Sequence, residues 1–218
     1  MKYGIDVSYC QEGMDFQAAA DDGKEFAIIR LGRRGDSGRL YLDTSFIDNI
    51  NNALAAGMQV GLYFYTKATS VEHAAEDAAW VLEQLNTYCQ NTTLALGVWY
   101  DVEDEATTGR LGNDEITAIC SRFVSDMNAA GYPYVGIYSS YNWFTNKINT
   151  NELGDYVPYW AANYGSSRNW FAHENPDKHC PIWQCADNWT DSVNDAKGIC
   201  YDGDIIFEYG EDPGAAVL

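Results

Sequence analysis

The residues best placed to do chemistry are Asp101 and Glu103, two positions apart where the apolar run from Leu94 to Tyr100 ends in carboxylates. A short apolar run of this kind reads as a buried strand covered on both faces. Side chains alternate along a strand, so Gly97, Trp99, Asp101 and Glu103 share one face, and Val98, Tyr100 and Val102 share the other. The two carboxylates then stand side by side, with Cα atoms roughly 6.5–7 Å apart from the strand rise. Ionised together they repel, so one of them keeps its proton to higher pH. A protonated acid beside an anion is what hydrolysis of a glycosidic bond requires. The plainer alternative is an acidic strand end that meets solvent and caps the following helix.

Holding such a pair takes a scaffold, and the hydrophobic periodicity supplies one. Strands are expected over residues 4–8, 26–31, 59–65, 94–104 and 134–139. Helices are expected over 15–20, 43–54 with a stop at Gly57, 70–85, 114–130 with a stop at Gly131, and 141–148. The long helix carries His73, Glu76 and Asp77, read as a solvated face, and the second strand closes in a glycine- and arginine-rich loop over 32–38. After residue 150 the rhythm changes: strands over 157–162, 181–185 and 204–207 are separated by polar stretches that do not look helical. Five strand–helix units imply a parallel sheet with right-handed crossovers, which three further strands can close as an irregular TIM-like α/β barrel. In such barrels the site lies at the C-terminal strand ends. Asp6, Arg30, Tyr63, Tyr65, Asp101, Glu103, Tyr138 and Asp204 all fall at or near those ends.

Composition bounds the partners. The chain of 218 residues is 46% hydrophobic, enough for a large core, and carries 32 acidic against 13 basic residues, a net charge of −19. That balance argues against nucleic acid or an anionic membrane, both of which need a basic footprint. No apolar stretch has membrane-spanning length, so no membrane insertion is expected. Six cysteines lie scattered without metal-ligand spacing, so no metal and no cofactor are expected, and the thiols are expected to be free, although Cys185 and Cys200 could lie close on late strands. The first residues enter a strand at once with no signal peptide, which predicts synthesis in the cytoplasm. One catalytic domain is expected over 1–210, with 211–218 as a short tail, and the protein is expected to be a monomer.

The same segments carry a resemblance. Gly4-Ile5-Asp6-Val7-Ser8, Phe26-Ala27-Ile28-Ile29-Arg30, Ala56-Gly57-Met58-Gln59-Val60-Gly61-Leu62-Tyr63 and Tyr100-Asp101-Val102-Glu103 match, in order and spacing, glycoside hydrolase family 25, the Chalaropsis-type lysozymes, many of them phage endolysins. The match continues through Ala130-Gly131-Tyr132-Pro133, Ile137-Tyr138-Ser139, Trp160-Ala161-Ala162, Trp183-Gln184 and the stretch from Gly198 to Asp204. The resemblance implies a barrel of five β/α units followed by three strands. It also implies cleavage of the β-1,4 bond between N-acetylmuramic acid and N-acetylglucosamine in bacterial peptidoglycan, after release from the cell or export by another route. It implies that Glu103 is the general acid, Asp101 its partner, and Asp6 and Asp204 the further acids of the site. Tyr63, Tyr65, Tyr138, Trp160 and Gln184 are candidates to stack on or hydrogen-bond the sugars, and Arg30 to balance the acids or meet the substrate. Two departures stand out: Tyr9-Cys10 follow Asp-Val-Ser where the family often has His, and Ile206 follows Asp204 by two where the family often has Asn. A chitin-cleaving hydrolase and a non-catalytic wall-binding barrel are the competing readings; the four acids in one place argue against the second.

Overall fold

Alternation along the strands decides what faces the axis of the sheet and what faces the helices. On β4 (Gln59–Tyr65), Val60, Leu62 and Phe64 face outward, and on β5 (Val98–Asp101) so do Val98 and Tyr100, followed by Val102. The helices answer with apolar stripes: Ala74, Ala78, Val81 and Leu85 on α3 (Val71–Tyr88), and Ile116, Cys120, Phe123 and Met127 on α4 (Asn113–Ala129). The small alanines of α3 let it lie close to the sheet, and Tyr100 stacks on Phe123 at a centroid distance of 4.0 Å. This computed structural model describes residues 1–154 and 156–207; the domain end at 210 and the tail at 211–218 lie outside the described residues.

The remaining elements are β1 (Lys2–Val7), α1 (Phe16–Asp21), β2 (Phe26–Arg34), β3 (Leu40–Leu42), α2 (Phe46–Ala55), β6 (Val135–Ser140), α5 (Tyr141–Asn146), β7 (Tyr159–Ala162), α6 (Trp170–Glu174), β8 (Ile182–Trp189), α7 (Ser192–Ala196) and β9 (Tyr201–Ile206). Strand order is β1-β9-β8-β7-β6-β5-β4-β2-β3, and β1 also pairs with β2, which closes a barrel of eight strands with β3 outside it. All the barrel strands run parallel except β9, which is antiparallel to both β1 and β8. The start of β9 therefore joins the C-terminal ends of the others at one mouth.

Four local expectations are corrected. The organising strand begins at Val98, not Leu94, because Gly97 takes φ +70° and a Cβ there would strike the Tyr134 carbonyl. The polar stretches after β7 and β8 each hold a single helical turn, capped by Asn169 and Asp191, too short to show a periodicity. The loop over 32–38 is instead the continuation of β2 and a hairpin to β3, with Arg33 opposite Tyr41. Asp77 is also not on a solvated face. It is fully buried and accepts from Arg34 Nε at 2.9 Å, Thr66 Oγ1 at 2.6 Å and Tyr100 OH at 2.7 Å. His73 is half-buried and Glu76 exposed. None of the six cysteines is in a disulfide: Cys185 Sγ meets the Gly203 carbonyl instead, and Cys200 is exposed.

Candidate active site

The inward residues make two layers. The lower is aromatic: Phe26, Tyr63, Trp99, Tyr138 and Trp160 pack together, with Tyr138 and Trp160 at 4.4 Å and Trp99 edge-on to Trp160 at 5.9 Å. Above it, at the mouth, stand Asp6, Asp101, Glu103 and Asp202, with Asp204 between them and the aromatic layer. An apolar floor removes water from beneath the carboxyls and disfavours their charged forms. The backbone between Asp101 and Glu103 is pinned from both sides. Thr66 N donates to the Asp101 carbonyl, Val102 N to the Tyr138 carbonyl, and Ser139 Oγ to the Val102 carbonyl at 2.6 Å.

Asp101 is buried and its Oδ1 has no hydrogen-bond partner; burial, then the charges of Glu103 and Asp6, hold its pKa well above the ordinary carboxylate range. Arg30 does not pair with it. Arg30 Nε binds Asp43 at 2.7 Å, its guanidinium lies over the Tyr9 ring at 4.7 Å, and its NH2 is buried without a partner. Glu103 lies just past the end of β5 and is half-buried; burial, then Asp202 and Asp104, raise its pKa to about 7. Its charge is thus opposed both by Asp202, from β9 on the far side of the mouth, and by Asp101 on its own strand, whose pKa it raises in turn. Asp104 differs from these acids: burial is outweighed by hydrogen bonds from Thr107, Tyr65 and Lys67, and its pKa is lowered. That makes Asp104 a fixed anion, and Tyr65 is committed to it through its hydroxyl at 2.9 Å.

Asp6 faces Asp202 directly across the β1–β9 ladder, with Asp204 one layer deeper opposite Gly4. Asp6 Oδ2 accepts from Gln184 Nε2 at 2.6 Å, and Gln184 Oε1 accepts from both Tyr138 OH and Tyr164 OH at 2.6 Å. Burial, then Asp202, raise the pKa of Asp6 well above its usual value. Asp204 is fully buried, with Oδ1 accepting from Trp160 Nε1 at 2.8 Å and Oδ2 without a donor if both acids are ionised. Burial and the charge of Asp6 drive the Asp204 pKa up, which favours the protonated form that can donate from this oxygen to Asp6. Asp202 is half-buried, its pKa raised to about 6 by burial and by Asp187.

The structure thus gathers Asp6, Asp101, Glu103, Tyr63, Tyr138 and Gln184, and places the other four expected residues differently: Tyr65 is bonded to Asp104, Arg30 to Asp43, and Trp160 and Asp204 lie deeper. Trp160 is fully buried and serves Asp204, leaving no ring face for a sugar. Asp204 lies below the mouth, and Asp202, two residues earlier on β9 and absent from the sequence-based set, is the acid of that strand whose charge raises the Glu103 pKa. Tyr164, absent from the sequence-based set, is an exposed aromatic bonded to Gln184. Its parity with Trp160 and Ala162 was the available signal, because Asn163 N still pairs with the Gln184 carbonyl beyond the end of β7. Among the described residues no group of three His, Cys, Asp or Glu is arranged to hold a metal ion.

A closed α/β barrel with a carboxyl cluster set on an aromatic floor at its C-terminal mouth is the build of a barrel glycoside hydrolase. Residues 5–194 match the sequence profile of Glycosyl hydrolases family 25, and the chain belongs to that family. It is 27% identical over 165 residues to an autolytic lysozyme of Clostridium acetobutylicum, an alignment covering 76% of this chain and 46% of that protein. Among solved structures it is similar to the modular autolysin LytC of Streptococcus pneumoniae, with a TM-score of 0.78 and 24% identity over 94% of this chain and 46% of that one. It is also similar to the bacterial lysozyme of Streptomyces coelicolor, with a TM-score of 0.75 and 20% identity over 99% of this chain and 96% of that one. The chain spans about half the length of the autolytic lysozyme and of the autolysin.

Proposed function

We propose that this barrel is a muramidase that cleaves the β-1,4 bond between N-acetylmuramic acid and N-acetylglucosamine with net retention, acting on cell-wall peptidoglycan outside the membrane. The observation that carries the reading is the division of labour within Asp-Val-Glu. Glu103 is half-open to the mouth and held near pKa 7, while Asp101 is buried beside it with an oxygen left unpartnered. Glu103 gives its proton to the glycosidic oxygen as the bond to the leaving sugar breaks. Asp101 accepts the substrate's acetamido N–H, steadying that group as its carbonyl oxygen attacks the anomeric carbon. Water then opens the cyclic intermediate and returns a proton to Glu103, so the anomer is retained. Asp6 and Asp202 face that water and keep Glu103 protonated. Support for the substrate comes from the family, from the lysozyme relative and from LytC, which has been solved with a synthetic peptidoglycan ligand.

Mass spectrometry and proton NMR of early wall digests test this. The expected products end in reducing N-acetylmuramic acid and appear first as the β-anomer, and muramic acid lacking the acetyl group is cut far more slowly. Faster cleavage of chitin oligomers than of walls would move the substrate to N-acetylglucosamine polymers. An initial α-anomer would remove the internal nucleophile.

A further inference from the structure

Beside the mouth, on the β1–β2 side, a cavity of about 340 Å³ opens between Tyr9, Arg33, Tyr41, Leu42, Asp43 and Thr44. Its chemistry runs against the rest of the molecule. On a chain of net charge −19, Arg33 and Arg39 are exposed and, among the described residues, pair with no carboxylate. They flank the exposed ring of Tyr41 instead, at 5.7 and 5.3 Å from its centroid. The nearby acids are already engaged: Asp43 is held by Arg30, and Asp36 by Lys67. The hairpin that presents the two arginines is fixed from below. Buried Arg34 donates to the Gly38 carbonyl in its turn at 2.9 Å and to Asp77 and Glu76 of α3. Alternation along β2 then sends Arg33 to the face opposite Arg34, the face of Tyr65 on β4, beside the turn. The cavity adjoins the catalytic mouth through one pair of residues: Asp43 lines it, and Arg30, bonded to Asp43, also favours the charged form of Asp101.

We propose that this groove is a binding site for the anionic peptide stem of the substrate, with Arg33, which lines it, and Arg39, beside it over the same Tyr41 ring, receiving a stem carboxylate and Tyr9 packing on its aliphatic part. The inference rests on the muramidase reading, since the lactyl group of muramic acid is where such a peptide is attached. Guanidinium groups suit the ligand because their planar fork matches a carboxylate, and the aromatic rings hold them in place in advance. The groove would let a strongly acidic enzyme grip a substrate that also carries negative charge, by meeting it beside the mouth with two arginines that, among the described residues, pair with no carboxylate.

The test compares the Arg33→Ala/Arg39→Ala double variant with wild type on two substrates: glycan strands bearing acidic stem peptides, and the same strands stripped by an amidase. Loss of two exposed charge contacts should raise KM roughly tenfold on the peptide-bearing strands, with kcat unchanged and no effect on the stripped strands. Arg110→Ala, which removes another exposed arginine, should change neither. Equal loss on both substrates, or no loss on the first, overturns the proposal. A loss that disappears when walls are freed of phosphate polymers by hydrogen fluoride assigns the groove to wall phosphate and also overturns it. Calorimetry with Glu103→Gln and an acidic muramyl peptide separates this inference from the reading beneath it. Binding that weakens in the Arg33→Ala/Arg39→Ala background supports the groove even if no glycan is cut, and absence of binding with active wild-type enzyme refutes the groove alone.

Discussion

Glu103→Gln should abolish lysis and yet make the protein more stable at alkaline pH. The folded protein lifts the Glu103 pKa from 4.5 to about 7, and at 1.36 kcal/mol per pH unit that difference amounts to about 3 kcal/mol. The sign follows from proton counting. Between the two values the folded state keeps a proton that the unfolded chain has released, so stability falls as pH rises through this window. Below about pH 4.5 the group is neutral in both states and contributes nothing; above about pH 7 the folded protein bears the full cost of a carboxylate held against Asp202 and Asp104. Glutamine has the same shape and no charge. Its stabilising effect should be small near pH 5 and grow by about 2 kcal/mol by pH 8, after allowing for solvent screening at the half-open mouth. Urea denaturation of both proteins at the two pH values measures the effect, and for a domain of this size it appears as a rise of roughly 4–8 °C in Tm near pH 8. A Glu103→Gln effect independent of pH, or one that destabilises at pH 8, would refute the account of why Glu103 holds a proton.

The same acid sets the rate profile: kcat/KM should fall above about pH 7, and Asp202→Asn should move that limb to lower pH by removing a like charge that raises the Glu103 pKa. Asp77→Ala should cost about 3–5 kcal/mol in denaturation experiments, because it strands the buried Arg34 and frees Thr66 and Tyr100; a cost under about 1 kcal/mol would mean that water replaces the carboxylate. A thiol reagent should label Cys10 and Cys200 in the native protein and all six cysteines after denaturation without reductant, counted by mass spectrometry.

Much of the barrel was legible because its strands obey period two and its long helices period 3.6, with stops at Gly57 and Gly131. What stayed hidden was decided by partners far away in sequence. Asp77 sits on a helix whose polar neighbours, His73 and Glu76, argue for solvent, and only the arrival of Arg34 from β2, 43 positions earlier, makes burial of the carboxylate affordable. The turns after β7 and β8 are one helical turn each, and their caps, Asn169 and Asp191, look in sequence like ordinary loop residues. The extension of β2 to Arg34 was masked by Gly32 and Gly35, which read as loop until the β3 partner is present.

The choice between Asp202 and Asp204 shows where strand parity alone runs out. Both lie on one face of β9, so alternation cannot separate them. Depth separates them, and depth depends on strand direction. Because β9 runs antiparallel to its neighbours, its earlier residue is the one at the mouth, the reverse of the parallel strands on which the other acids lie. Asp202 thus stands at the mouth, where its charge bears on Glu103, while Asp204 drops to the aromatic floor and binds Trp160. Asp204 has nearly the shape of an asparagine, and with its proton kept by burial it can donate to Asp6 as a carboxamide would. On this count Asp204→Asn should preserve the fold and most of the activity, whereas Asp204→Ala, which removes the hydrogen bonds to both Trp160 and Asp6, should not. A wall-lysis assay in which the two substitutions fall equally far would return Asp204 to the role of a charged catalytic acid.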